Sequence, residues 1–338
     1  WKKAVAESSS DEINNIYTKK FPITESTKIA SAGSCFAQNI LKYLKPTGFN
    51  VLDLEPPPKG LHEKLHSKYG YSIFSARYGN IYTVRQLLQL ANEASGLKRI
   101  EDYIWEKNGK FYDALRPGVE PNGQDSPDDV VLHRKFHLAS VLELFKRLDL
   151  FIFTLGLTES WINKRSGTVY PTVPGSIAGE YKQDLYSFKN FKYQEILDDL
   201  FCFKETMYQL RGNRPFHMIL TVSPVPLVAT ASGKHVLQAN TYSKSVLRAV
   251  AEDFTRDNPK VDYFPSYEII TNPKLKTSAY KENLRHIKDE SVKIVMQHFF
   301  KEHKPFIYHV RHNNDINNQM NISSSLAQKY IPSEENLI

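Results

Sequence analysis

Thr27-Lys28-Ile29-Ala30-Ser31-Ala32-Gly33-Ser34-Cys35-Phe36-Ala37 is the stretch that decides the fold. Residues 27–33 read as a short buried strand closed by glycine. From Phe36 the apolar residues fall at helical spacing, at Phe36, Ile40, Leu41 and Leu44, and the run stops before Pro46. Ser34 and Cys35 therefore lie where a strand hands over to a helix N-terminus. Unpaired main-chain N–H groups there favour an anion, so a thiolate forms more readily and an oxyanion can be held. The competing reading makes Cys35 a small apolar filler and Ser34 an N-cap, since free cysteine is usually buried and inert. Ser34 is also a second candidate nucleophile.

Outward from this turn, strands and helices alternate. Residues 81–94 read as a helix. Tyr103 to Phe111 reads as a hairpin turning at Asn108-Gly109, where positive φ angles are needed. Residues 130–147 read as a helix leading into strand 150–155, and a second hairpin turns near Ser166-Gly167. Then come helix 193–211, strand 217–222, a helix from about Tyr242 to Phe254, a strand near Val261 to Phe264 and a helix from about Asp289 to Phe300. This alternation predicts a three-layer α/β/α fold with a mostly parallel sheet, interrupted by hairpin and loop insertions. Sites in such sheets lie at the carboxyl ends of strands. We expect an N-terminal segment over 1–25, a globular domain over 26–302, and an Asn- and Ser-rich tail over 303–338.

The chain has 338 residues and a net charge of +7, with basic residues spread along its length rather than gathered in a block. That spread argues against a dedicated nucleic-acid surface and leaves a mild preference for anionic substrates open. Only two cysteines are present, which argues against a disulfide framework and favours a reducing, cytoplasmic setting. No stretch reads as a membrane span, and residues 1–25 do not read as a signal peptide. The first residue is Trp1, so an excised fragment is one expectation. There is no metal constellation: CxxC, HExxH and EF-hand patterns are missing, and His133 with His137 lack a third ligand. No phosphate loop or GxGxxG occurs.

Other strand ends offer polar groups. Gly156-Leu157-Thr158-Glu159 follows the most apolar strand and projects Thr158 and Glu159; the plain alternative is a strand exit with a helix cap. Gly79-Asn80 offers a backbone N–H and an amide, or is a simple turn. His286, just before the last helix, could act as general base with Asn283 orienting its ring, or be a surface histidine.

Taken in order, several segments resemble one family. Gly33-Ser34-Cys35-Phe36-Ala37 spells the motif that names the GSCFA-domain family. The likeness continues through Tyr78 to Thr83, Asp113 to Pro117, Phe153 to Trp161, Val173 to Gly175, Thr221 to Pro226, Asn240 with Ser243 and Lys244, and Tyr263 to Glu268, spanning residues 26 to 300. That family resembles a branch of the SGNH, or GDSL-type, hydrolases. The resemblance implies Cys35 as nucleophile, Gly79 as an oxyanion glycine, Thr158 where an oxyanion asparagine is expected, and Asn283 and His286 in the Asp-x-x-His positions. Cysteine for serine, threonine for asparagine and asparagine for aspartate are departures. Cysteine with histidine and asparagine is still a workable set.

The resemblance implies acyl transfer at an ester or thioester, as an esterase or an O-acyltransferase on a cell-surface polysaccharide or its precursor. No cofactor is required, with acetyl-CoA a possible acyl donor. Partners would be a carbohydrate or small ester, and a glycosyltransferase domain or partner protein. The alternative is a non-catalytic carbohydrate-binding module, or a domain of a larger polysaccharide-biosynthesis protein. Trp105, Tyr112 and Trp161 would then supply stacking surfaces.

Overall fold

A computed structural model describes residues 1–8, 13–276 and 278–306. Along the chain run β1 (Ile29–Gly33), α1 (Cys35–Leu44), α2 (Glu63–His66), α3 (Val84–Ala94), β2 (Ile104–Lys107), β3 (Lys110–Asp113) and α4 (Pro127–Arg147). There follow β4 (Leu150–Leu155), β5 (Glu159–Asn163), β6 (Val169–Tyr170), β7 (Tyr186–Asn190), α5 (Tyr193–Leu210), β8 (His217–Val222), α6 (Val236–Arg256), β9 (Val261–Tyr263), α7 (Ser266–Thr271) and α8 (Asp289–Glu302).

The central sheet has the order β1-β4-β8-β9, and every pairing in it is parallel. Successive side chains in a strand point to opposite faces, and here both faces are covered. Ala30, Ala32, Phe151, Phe153, Met218 and Leu220 pack with residues of α3, α4, α5 and α6. Ile29, Leu150, Ile152 and Ile219 pack with residues of α1, α7 and α8. The result is three layers, α/β/α, as the alternation predicts. Burial on both faces explains why β4 is apolar almost without interruption.

Beyond β1 a single parallel bridge joins Ile29 to Val51, so the chain first steps to one side of β1 and then returns to place β4 on the other. This reversal makes the carboxyl ends of β1 and β4 the topological switch point, where the connecting loops diverge and open a crevice.

Helix starts differ from the expected ones where caps decide. α4 begins at Pro127, because Ser126 accepts the Asp129 amide and proline suits the first turn. α6 begins at Val236, capped by the His235 ring. α3 begins after Thr83, which forms a capping box with Gln86. The hairpin at Ser166-Gly167 acquires a third strand: β5 lies between β6 and β7, both antiparallel to it.

His137 is buried with Nδ1 2.7 Å from Glu55, inside a network that also holds Arg116, Asp113, Arg134 and Glu93. It is thus a packing histidine. Tyr17, Phe21 and Ile23, from the segment before β1, are buried with the α1–α8 layer. Of the expected tail, His303 is buried and residues 307–338 lie outside the described residues. None of the described helices is long and apolar enough to cross a membrane.

Candidate active site

Two glycines let the strand ends close up. Gly33 has a φ of +145°, and a Cβ on it would sit 2.6 Å from the Thr154 carbonyl oxygen. A Cβ on Gly156, just past β4, would lie 2.9 Å from the Ser34 Cβ and 3.0 Å from the Tyr82 carbonyl. Ser34 is the N-cap of α1 but its side chain caps nothing, and its buried Oγ has no hydrogen-bond partner among the described residues. The main-chain amides of Cys35 and Phe36 are therefore free to face the Cys35 sulfur, and both favour its thiolate.

Cys35 is half-buried. Burial pushes its thiol above the ordinary value, and the Arg285 and Lys244 cations pull against that rise, as do the two amides. Lys244 is 1 % exposed and projects from α6. Its Nζ donates to the Gly156 carbonyl at 2.8 Å. Burial holds its pKa down to about 7, the Arg285 charge acts in the same direction, and a Cys35 thiolate opposes both. Near neutral pH this lysine thus exists partly as a free amine beside a thiol. Its neighbour Ser243 accepts the Thr158 amide at 3.0 Å, so α6 fixes the 156–158 turn at two points.

Tyr82 forms a further wall. Its carbonyl accepts the amides of Gly156 and Leu157 at 3.2 and 2.9 Å. Burial and the nearby Cys35 charge both raise its phenol pKa, so the hydroxyl stays a donor. Asn80 Nδ2 donates to that hydroxyl at 3.0 Å, and Gln38 Nε2 donates to Asn80 Oδ1 at 3.2 Å. The Asn80 amide thereby braces Tyr82 against α1. Gly79 precedes it with a φ of +67°.

The loop between α7 and α8 covers the crevice. Tyr280 pairs with Ile287, and the Tyr280 hydroxyl donates to the Pro224 carbonyl at 3.0 Å. Arg285 Nε donates to the Pro226 carbonyl at 3.3 Å. This loop brings Asn283 and His286 together: Asn283 Nδ2 lies 2.6 Å from His286 Nδ1. The polarity of that contact is fixed. Asn283 Oδ1 accepts the amides of Arg285 and His286 at 3.1 and 3.0 Å, so the amide cannot be flipped without facing donors with donors. Nδ2 then donates to Nδ1, which leaves the proton of the neutral ring on Nε2. An aspartate in this place would accept from Nδ1 instead. The loop residue whose charge reaches Cys35 is Arg285, the neighbour of His286.

Thr158 is fully buried and its Oγ1 has no partner among the described residues. Glu159 is different: it lines an open cleft of about 470 Å³ that begins at Tyr82. Of the three expected stacking aromatics only Trp161 lines this cleft. Trp105 and Tyr112 are buried with Tyr170 and Tyr186 in a separate small core, where the Trp105 ring lies against Gly179.

The strand ends thus collect Ser34, Cys35, Tyr82 and Gly156, with Lys244 and Arg285 brought in from α6 and the covering loop. Tyr82, Lys244 and Arg285 were not singled out as chemical groups by the sequence reading. Tyr82 and Lys244 did stand inside the recurring segments, which is the signal that could have found them.

Among solved structures, the fold is similar to a carbohydrate esterase family 3 protein from Talaromyces cellulolyticus, with 8% identity and a TM-score of 0.30 over 82% of this chain and 95% of that one. It is also similar to an acetyl xylan esterase from the rumen bacterium Butyrivibrio proteoclasticus, with 10% identity and a TM-score of 0.30 over 83% of this chain and 64% of that one. No curated protein matches the chain in sequence. The model of the GSCFA family matches residues 28–299, from the start of β1 into α8, and the chain accordingly belongs to the GSCFA family.

Proposed function

We propose that the protein is an acyl-transferring enzyme with Cys35 as the nucleophile toward an ester or thioester. The observation that carries this reading is the convergence on one sulfur of two helix-terminal amides, a buried lysine and an arginine. Lys244, as the free amine, takes the Cys35 proton. The thiolate attacks the acyl carbon, and the oxyanion is held by the α1 amides and the Tyr82 hydroxyl. When the intermediate collapses, the bond to the leaving oxygen or sulfur breaks and the Lys244 ammonium returns the proton to it. The acyl group then sits on Cys35 as a thioester. Water or a sugar hydroxyl attacks in turn and gives its proton to Lys244; the acyl carbon–sulfur bond then breaks, the acid or ester leaves, and the Lys244 ammonium returns the proton to the Cys35 sulfur. In this reading Lys244, and not His286, is the base. Ser34 is the alternative nucleophile.

Acetyl-CoA or an O-acylated saccharide is the donor we favour, with a cell-surface polysaccharide or its precursor as acceptor. A thiol nucleophile suits a reducing, cytoplasmic setting. The second reading, a carbohydrate-binding module without turnover, is favoured by the Asn283–His286 polarity, which is wrong for a base.

Intact mass after brief incubation with p-nitrophenyl acetate and, separately, acetyl-CoA decides between them. An acetyl adduct mapping to Cys35 and missing from Cys35→Ala is the expected result. No adduct, with Cys35 also inert to iodoacetamide in the folded protein, would overturn the reading and leave the binding module.

A further inference from the structure

The cleft of about 470 Å³ beside Tyr82 has a wall chemistry that selects its occupant. Its lining contains no lysine, arginine or histidine, and Glu159 is its only carboxylic acid. Most of the surface is apolar, from Leu157, Trp161, Val173, Phe188 and Leu227 with the neighbouring prolines. Glu159 and Trp161 are two residues apart on β5, hence on one face of that strand. Trp161 is held edge-on by Phe188, its cross-strand partner, and by Tyr181.

Three polar groups in this apolar setting have no hydrogen-bond partner among the described residues. Glu159 Oε1 accepts from Thr230 at 2.8 Å, which leaves Oε2 unused. Thr172 Oγ1 is buried and unpartnered, on a residue that also lines the smaller cavity beside Gly79 and Asn80. The Trp161 indole N–H completes the set. An acceptor, a hydroxyl and a donor are thus spaced around an aromatic face. A polyol with one apolar face satisfies all three, whereas an acyl chain satisfies none and would bury them unpaired.

We propose that this cleft is the subsite for the alcohol portion of the substrate, and that it takes an uncharged or amino-bearing sugar while rejecting acidic sugars and the phosphates of a coenzyme. An anion would meet the Glu159 carboxylate in a mostly apolar wall with no cation among the lining residues. The weak preference for anionic partners suggested by the overall positive charge is therefore not a property of this cleft. The inference rests on the proposed acyl chemistry for the meaning of the site but not for its test.

Ligand-observed NMR on Cys35→Ala, which cannot form an acyl adduct, would use methyl β-glucoside, N-acetylglucosamine, glucosamine, glucuronic acid, octanoate and coenzyme A as probes. We expect the neutral and amino sugars to bind at least about tenfold more tightly than glucuronic acid. Trp161→Ala should remove sugar binding, and Glu159→Gln should remove only the discrimination against glucuronic acid. Coenzyme A should fail to displace a bound sugar. Equal binding of glucuronic acid, binding of octanoate alone, or no sugar binding would each overturn the proposal. Cys35 acetylation by p-nitrophenyl acetate in the wild type, which does not need the cleft, separates such a failure from failure of the acyl chemistry.

Discussion

Lys244 Nζ donates to the main-chain carbonyl of Gly156 at 2.8 Å, and Gly156 is the residue whose missing side chain lets Ser34 approach the end of β4. The lysine is thus tied to the same turn that shapes the surroundings of Cys35. An ammonium buried here with one carbonyl for company is costly, which is why its pKa falls to about 7. A carbonyl can accept from either the amine or the ammonium, so the contact holds Lys244 in place through both halves of a proton transfer.

Lys244→Met keeps the buried volume and removes the proposed base. The rate of Cys35 alkylation by iodoacetamide in the wild type should rise with pH through about 7, where Lys244 becomes the free amine. In Lys244→Met that rise should move to the higher range of the isolated, desolvated thiol, with the thermal midpoint no lower than wild type. An unchanged pH profile would show that Lys244 is only a packed side chain.

Tyr82→Phe removes one oxyanion donor without altering the wall. We expect acyl transfer to fall by about a hundredfold in kcat with little change in KM. Asn80→Ala, which loosens the tyrosine rather than deleting its hydroxyl, should cost less. A KM effect alone in Tyr82→Phe would place the hydroxyl in substrate binding.

Asn283→Asp reverses the polarity of the contact with His286. The carboxylate oxygen opposite Nδ1 should draw the ring proton there and free Nε2 as an acceptor. Nitrogen-15 NMR of the histidine ring reads the tautomer directly, and turnover should rise if a second base helps. A ring that carries its proton on Nδ1 already in the wild type would refute the assignment.

Gly156→Ala places a methyl group inside the contact distances of Ser34 and Tyr82. A loss of about 1–3 kcal/mol is expected, by urea unfolding, together with slower Cys35 modification. Gly118→Ala, where nothing stands within 4 Å and φ is ordinary, is the control and should be close to neutral.

Acid should weaken the fold through two buried histidines. Burial, with Arg116 adding for His137 and Lys19 for His303, depresses both histidines from 6.5 to about 4. Each is neutral in the folded protein and protonated when unfolded across that window. Their contribution is therefore fully present above about 6.5 and is lost as pH falls toward 4, at about 1.4 kcal/mol per pH unit per histidine. Urea midpoints across this range should drop steadily, and His303→Gln should flatten the slope.

The legible parts of this molecule are those whose signals are local. The strand–glycine–helix pattern around Gly33 placed Cys35 correctly at a helix N-terminus, because a run of apolar residues and its cap are neighbours in sequence. The β2–β3 turn at Asn108-Gly109 was legible for the same reason. Lys244 was not, because a lysine within a helix reads as a solvated charge until α6 packs against β8 and β9. Arg285 and Tyr82 likewise gain meaning only when a loop and a turn meet over the sheet. Trp105 and Trp161 have the same residue type and similar hairpin settings, yet one is sealed against Gly179 in a small core and the other faces a cleft.

Tyr17 donates its hydroxyl to Asp262 at 2.9 Å and lies 2.9 Å from the His303 ring, so a residue well before β1 and one just after α8 meet on the last strand of the sheet. Both lie outside the stretch 28–299 matched by the family. A fragment cut to those limits would expose Phe264 and Phe299, which Tyr17 and His303 cover. Residues from either side of the family's span thus close one seam over the edge strand of the sheet.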